Sequence, residues 1–337
     1  MIRALRYLEP ANSSSGTFQY SNLGYVVAGA VIERVSGRSW EDFTSERLLL
    51  PAGFSDFAFS VDGLTNSPDH AHPHPVEEEV LYRGHFWPMR ATPAGGVVAS
   101  IKDMCGWLRV LCGWEEILSL EVREMMMAPH AYVGSAGYPE LGDRYYGLGL
   151  RRERYRGARF VSHTGSQPGW CKFMGLLPDE GIAVVILTNR DPHPAPAFLA
   201  YSTFDFLLGT RTVDWRSRIL GGQEKSPVVK DGDCEVRAGH SGEMLPSNSP
   251  SDYVGEYHNP AYGTITISLG SEGLNWAWRG LFGTLKYLDA DVFRAFEQSI
   301  PRYPDGIEMK FVCREGERVY FVAADLEPNA QDIQFLK

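Results

Sequence analysis

Two short segments carry side chains suited to moving protons and stabilising charge. Tyr20-Ser21-Asn22 stands directly before a run with helical apolar spacing, so a phenol, a hydroxyl and an amide can project from a helix entrance. The plainer use of Ser21 or Asn22 is to cap that helix. His163-Thr164-Gly165-Ser166 closes a strand-like run, and Gly165 would let a ligand approach the backbone while N–H groups and the Thr164 hydroxyl point at it. A histidine at a strand end is equally at home as a satisfied or exposed side chain.

A third cluster, His70-Ala71-His72-Pro73-His74, alternates imidazoles as an extended zinc-binding segment would. Neither cysteine nor a well-spaced carboxylate accompanies it, and a solvated loop accounts for its composition. No metal and no cofactor is expected.

The elements that must position these residues follow from apolar periodicity. Leu23, Val27, Ala30, Val31 and Val35 predict an amphipathic helix that buries this face and ends at Gly37. Ser39 with Asp42 predicts a cap for a second helix that turns Trp40, Phe43 and Leu48 inward before Pro51. Phe54 to Phe86 reads as a long surface loop. After Ala94-Gly95-Gly96, Ser100 with Asp103 caps a helix bearing Met104, Trp107, Leu108 and Leu111, which Gly113 closes.

Strand signals then run over Tyr146 to Arg151, Arg159 to Thr164, Cys171 to Leu177 and Ile182 to Thr188. Pro178-Asp179-Glu180-Gly181 is hairpin chemistry, and Phe198, Tyr201, Phe204 and Leu208 mark a helix able to cover one sheet face. The fold class is α+β, an antiparallel sheet flanked by helices with a helical subdomain. A polar stretch at 214–250 reads as a linker. Alternation returns in Thr264–Ile267, Leu274–Trp278 and Val319–Val322, with turns at Gly270 to Gly273 and Arg314 to Glu317, predicting a small antiparallel β-barrel over 251–337.

In this order, Tyr-Ser-Asn at a helix start, Ala-Gly-Gly before a capped helix and His-Thr-Gly on a strand resemble the serine β-lactamase and penicillin-binding protein superfamily. The nearest types within it are class C β-lactamases, D-Ala-D-Ala carboxypeptidases and esterases. The resemblance covers Met1 to about Gly209, so residues 1–213 are expected to form the hydrolase-like domain. It implies that Tyr20 shuttles a proton to and from a serine nucleophile and that Asn22 holds the substrate's carbonyl side. His163, Thr164, Gly165 and Ser166 would bind substrate, Ser166 supplying an oxyanion-hole N–H. β-Lactamases carry Lys where His163 stands, and imidazole is mostly neutral at pH 7, so recognition of a β-lactam carboxylate is expected to be weak. The resemblance points to a small ester or peptide-like amide as substrate. Tyr253, Gly255, Tyr257, Asn259, Pro260, Tyr262 and Gly263 are similar to the lipocalin-like β domain appended to many of these hydrolases.

The superfamily's nucleophile lies in Ser-x-x-Lys. The seven lysines, Lys102, Lys172, Lys225, Lys230, Lys286, Lys310 and Lys337, are preceded at that offset by Ala99, Gly169, Gly222, Pro227, Gly283, Ile307 and Gln334. The motif is not in this sequence, and the expectation is an N-terminally truncated hydrolase, a misplaced start codon, a gene fragment, a deliberate truncation and a nucleophile-free descendant being indistinguishable. A non-catalytic binding or scaffold protein that keeps the cleft is the alternative. The family fold also sets strands beside Ile182–Leu187, so an unpaired apolar edge and self-association are expected.

A formal charge of -10 without a basic run speaks against nucleic acid as a partner. No run of about 18 apolar residues suggests a membrane span, and Met1–Arg6 lacks a signal-peptide core. Five scattered cysteines, Cys105, Cys112, Cys171, Cys234 and Cys313, fit reduced thiols and a cytoplasmic setting.

Overall fold

The computed structural model describes residues 2–8, 18–77, 80–81, 83–86, 92–211, 213–223, 248–271, 273–289, 291–297, 306–313, 319–324 and 333–337. The Gly16-Thr17 approach to Tyr20, most of the expected linker, Cys234 and the expected turn at 314–317 lie outside these residues. Packing divides the chain into two compact units, Ser14–Asp233, and Cys234–Lys337 together with Met1–Ser13.

In the first unit α1 spans Asn22–Ser36 and ends at Gly37 in the left-handed conformation, φ 71°. Its apolar face does not behave as the periodicity predicts. Gly29, under Pro93, is its one buried residue, while Val31 and Val35 stay exposed. The helix has the pattern of a buried element without enough neighbours in the described residues to bury it.

α2 (Trp40–Thr44) starts where Ser39 Oγ accepts the Asp42 N–H at 3.0 Å and continues as a π turn over Ser45–Leu49. The segment read as one long loop contains β1 (Phe57–Ala58), α3 (Val61–Thr65), β2 (Val76–Glu77) and β3 (Val80–Leu81), and β4 (Val98–Ala99) pairs with β1. Phe54 is buried beside Phe57 and Phe59 in an apolar cluster with Leu49 and Val110, which gives that stretch a core of its own.

Next come α4 (Ile101–Cys112), α5 (Leu120–Met127), β5 (Ala131–Ser135), β6 (Asp143–Tyr146), β7 (Arg151–Tyr155), β8 (Ala158–Gln167), β9 (Trp170–Leu177), β10 (Ile182–Thr188), α6 (Ala195–Leu207) and α7 (Trp215–Gln223). α4 has the full capping box of Ser100 and Asp103. The buried Asp103 carboxylate also accepts the N–H groups of Ser55 at 2.9 Å and Asp56 at 3.1 Å, tying a distant loop to the helix entrance.

The six strands form one antiparallel sheet in the order β10-β9-β8-β7-β6-β5. Alternation sorts their side chains onto two faces. Val161, Met174, Leu176, Ala183 and Val185 pack with Leu108 and Leu111 of α4 and Met127 of α5. Phe160, Phe173, Leu177, Val184 and Ile186 pack with Tyr201 and Phe204 of α6.

Tyr146–Arg151 is not a strand. Tyr146 ends β6, Arg151 begins β7, and the glycines between them make the turn. A Cβ on Gly147 would sit 2.3 Å from the Met126 carbonyl oxygen, so only glycine fits that approach.

The stretch after 213 also departs from expectation, because α7 is a helix. Its first residue, Trp215, is fully buried and donates its indole N–H to Asp205 Oδ2 at 2.9 Å. Asp205, itself fully buried, also accepts from Tyr155 Oη at 2.7 Å and from Arg156 Nε and Nη2 at 2.7 and 3.0 Å. Burial opposes its charge, but the Arg156, Tyr155 and Trp215 donors outweigh that and hold the carboxyl at about 2.

The second unit contains α8 (Pro250–Tyr253) and the strands β11 (Gly255–Asn259), β12 (Gly263–Gly270), β13 (Gly273–Trp278), β14 (Leu281–Asp289), β15 (Val292–Glu297), β16 (Ile307–Cys313), β17 (Val319–Ala324) and β18 (Ile333–Leu336). They close into an antiparallel barrel through the pairing of His258 with Leu336. Side chains fill its interior, among them Tyr257, Ile265, Trp276, Met309 and Phe335. Tyr257 Oη donates to the Tyr253 carbonyl at 2.7 Å, and Asn259 Oδ1 accepts the N–H groups of Ala261 and Tyr262 at 2.8 and 3.0 Å, setting the β11–β12 turn.

Because the Asp205 carboxyl is depressed from 3.8 to about 2 on folding, its contribution to stability is complete above about pH 5 and is lost as pH falls through 4 toward 2. Asp205→Asn should cost about 3 kcal/mol in urea unfolding at pH 7, because it leaves Arg156 without its counter-charge. The difference from wild type should shrink in the same assay at pH 3.

Candidate active site

β7 pairs with β8 only as far as Arg151 opposite Ser162. Beyond that point, His163–Gln167 pair with β9 alone, and among the described residues their other edge carries no strand. The β8–β9 connection is a two-residue turn, Pro168-Gly169, with Gln167 opposite Trp170 and Gly169 at φ 81°. In such a hairpin the flanking pair exchanges hydrogen bonds, so alternation turns the N–H and C=O of Thr164 and Ser166 toward the open edge.

The same alternation separates the side chains. His163 and Gly165 lie on the α4 face, opposite Met174 and Lys172, whereas Thr164 and Ser166 lie on the α6 face, opposite Phe173 and Cys171. Ser166 Oγ donates to Asp191 Oδ1 at 2.6 Å, and the Cys171 thiol donates to the same oxygen at 2.9 Å. Burial, then Asp191, pushes the Cys171 thiol above its usual range.

On the α4 face three rings meet. The Tyr20 ring lies 6.4 Å from the His163 ring and 6.0 Å from that of Tyr146, centroid to centroid, and Tyr146 Oη is 2.9 Å from His163 Nε2. Phe18 packs on Tyr146 at 5.3 Å. Burial, aided by the Tyr25 and Tyr20 phenols, pushes the Tyr146 hydroxyl well above its ordinary value. Burial, with the Arg151 charge second, holds the His163 imidazole below its own. A neutral phenol and a neutral imidazole therefore share one hydrogen bond at neutral pH.

Tyr20 is 52% exposed at the mouth of this group, and Asn22 is exposed as the first residue of α1. Ser21, in the cap position, makes no side-chain cap bond, so the tripeptide's polar atoms are not consumed by capping. The structure thus brings Tyr20 and His163 together and sets Thr164 and Ser166 at the open strand end. The strand pattern alone placed Tyr146 inside a strand and left Lys172 unremarked, although a two-residue Pro-Gly hairpin puts residue 172 opposite Gly165.

The imidazole segment docks beside this end of the sheet, where the His74 N–H donates to the Gly169 carbonyl at 3.2 Å and Asn189 Nδ2 to the His72 carbonyl at 3.0 Å. The His70 and His72 rings stand 5.1 Å apart with Phe86 against both, and Arg83 Nη2 meets His72. Partial desolvation and the Arg83 charge lower the His72 pKa. Among the described residues no group of three or more His, Cys, Asp or Glu is placed to hold a metal ion.

The family model described as Beta-lactamase matches residues 1–206, and the chain belongs to that family. Its curated relatives include an unguisins hydrolase of Aspergillus campestris, 25% identical over 79% of this chain and 52% of its own length. They also include a D-aminopeptidase of Brucella ovis, 25% identical over 58% of this chain and 36% of its own length, and the penicillin-binding protein 4* of Bacillus subtilis, 25% identical over 55% and 42%. The chain thus spans about half or less of the length of these relatives. The octameric penicillin-binding protein homologue from Pyrococcus abyssi shares the fold at TM-score 0.54 and 22% identity, over 95% of this chain and 65% of that one.

Titration of the His163 imidazole by NMR should give a midpoint below the ordinary value near 6.5, and Arg151→Gln should move it upward. A midpoint at or above 6.5 in the wild type would contradict the burial described.

Proposed function

We propose that the α4 face of β8 is the substrate cleft of a serine hydrolase that works through an acyl-enzyme on esters or peptide-like amides. The observation that carries this is the Tyr20 phenol at a helix entrance beside His163, next to a strand end that has no strand on one edge among the described residues. Family membership and the relatives named a D-aminopeptidase and hydrolases support the reaction class.

In this reading Tyr20 passes the nucleophile's proton to the leaving group, Asn22 holds the carbonyl side of the substrate, and the Ser166 N–H stabilises the oxyanion. A phenol near pKa 10 needs a neighbouring cation to act as a base, and that cation and the serine belong to Ser-x-x-Lys. The motif is absent from these 337 residues, so the chain as given is proposed not to acylate. The same absence favours a second reading, a binding protein that retains the cleft.

Neither a fluorophosphonate nor a penicillin should label the chain, as read by intact mass. Any form extended by an in-frame Ser-x-x-Lys segment should hydrolyse short-chain aryl esters, and Tyr20→Phe should lower turnover by about a hundredfold or more. Unchanged turnover would remove Tyr20 from the mechanism, and stoichiometric labelling of a serine in the given chain would show another nucleophile.

Among the described residues β10 is the outer strand of the sheet, paired with β9 only, and it is apolar from Ile182 to Leu187. We propose that copies associate through this edge. Sedimentation at micromolar concentration should show species larger than a monomer, and a monodisperse monomer would count against it.

A further inference from the structure

The imidazole segment has a chemistry that the proposed cleft does not use. β2 and β3 pair Val76 with Leu81, and the Gly84 N–H donates to the Pro73 carbonyl at 2.9 Å, so the same antiparallel register continues beyond the two strands. It sets His74 opposite Arg83 and His72 opposite His85, and alternation turns all four to one face of the hairpin. Gly84 permits the close approach, since a Cβ there would stand 2.7 Å from Pro75 Cδ.

A cavity of about 280 Å³ is lined by His72, Arg83, Gly84, His85 and Phe86, just under the range of about 300 to 1,000 Å³ usual for small-molecule sites. Its walls are cationic and aromatic. Arg83 Nη2 lies 3.1 Å from His72 Nδ1, and the Phe86 ring stands 5.8 Å from that of His70 and 5.2 Å from that of His72. His70 Nδ1 donates to the Ser67 carbonyl at 2.7 Å, which leaves its Nε2 to take a proton.

Among the described residues no carboxylate forms an ion pair with Arg83 or with these imidazoles. Partial desolvation, then the Arg83 charge, disfavours protonation of His72. An anion placed between the two would reverse that balance.

We propose that this cavity binds a phosphate group, either free or at the head of a phosphomonoester. Phosphate oxygens can accept from the Arg83 fork and from imidazole N–H groups on another side at once, whereas a planar carboxylate is matched by the guanidinium alone. An organic group on the phosphate would lie against the Phe86 ring. None of the lining residues belongs to β8 or β9, so the assignment does not depend on the reading of that strand end as a cleft.

The test is an NMR titration of the chain as given, at neutral pH and constant ionic strength, with inorganic phosphate, phenyl phosphate and acetate as probes. The Cε1 protons of His70, His72 and His85 should shift together and saturate, with a dissociation constant of about 1 mM or tighter for phosphate and at least about tenfold weaker for acetate. Saturation should also raise the His72 titration midpoint. Arg83→Gln should weaken phosphate binding by about tenfold, Arg83→Lys by less, and Arg38→Gln, at a guanidinium already paired with Glu46, should leave it unchanged. Circular dichroism and thermal melts would establish that each variant is folded.

Tighter binding of phenyl phosphate would identify a phosphomonoester as the ligand, and equal affinity would identify free phosphate. No saturable shift with either phosphate at tens of millimolar, equal affinity for acetate, or phosphate binding that survives Arg83→Gln would each overturn the assignment.

Discussion

The buried carboxylate of Asp205 holds the first unit together. An ion without solvent is tolerated only where donors surround it, and here they come from three directions: the end of β7 through Tyr155 and Arg156, the backbone of Val213, and α7 through Trp215. Each donor fixes the element that bears it against α6. The aromatic packing of Tyr155, Phe160, Tyr201, Phe204 and Trp215 then assembles around a charge that cannot move without leaving several groups unpaired. One face of the sheet is thereby committed to structure.

That commitment explains where chemistry can reside. Consecutive residues of β8 point to opposite faces, so Thr164 and Ser166 share the committed side, and the Ser166 hydroxyl is taken up by Asp191. What remains of Ser166 for a ligand is its backbone. His163 and Gly165 face α4, where the packing is apolar but stops short of the strand's end, leaving the rings of Tyr20, Tyr146 and His163 in mutual contact. Both Tyr146 and His163 are biased by burial toward their neutral forms, so the pair adds no fixed charge to this face of the sheet.

How much of this could be read from the sequence depends on how local each cause is. The Ser100 and Asp103 capping box, the Gly37 and Gly113 terminators and the β9–β10 hairpin are decided within a few residues, and they stand where the spacing put them. Asp103 also binds Ser55 and Asp56, 48 and 47 residues away, which no local pattern announces. Trp215 sits in a polar, glycine-containing stretch of low helical promise, and its helix follows from burial against Asp205. α1 shows the reverse case, a helical period read correctly whose apolar face nonetheless stays open at Val31 and Val35. Tyr146 was hidden because an apolar run continues through Gly147 and Gly149, and only the close approach to Met126 shows that the run must bend there.

The difference between His163 and a lysine at that position is then a matter of geometry as well as charge. A cation on β8 itself would sit among Tyr20 and Tyr146, where burial already disfavours charge. A cation on β9, crossing over Gly165, reaches the same open edge two residues farther along, where Gln167 and the Gly95 carbonyl offer polar company. Glycine at 165 eases the crossing, since a Cβ there would stand 3.2 Å from the Lys172 Cδ and the stem would have to shift slightly. The two positions therefore divide between them properties that conflict at one site: a neutral imidazole against the phenols, and a positive charge at the end of the strand.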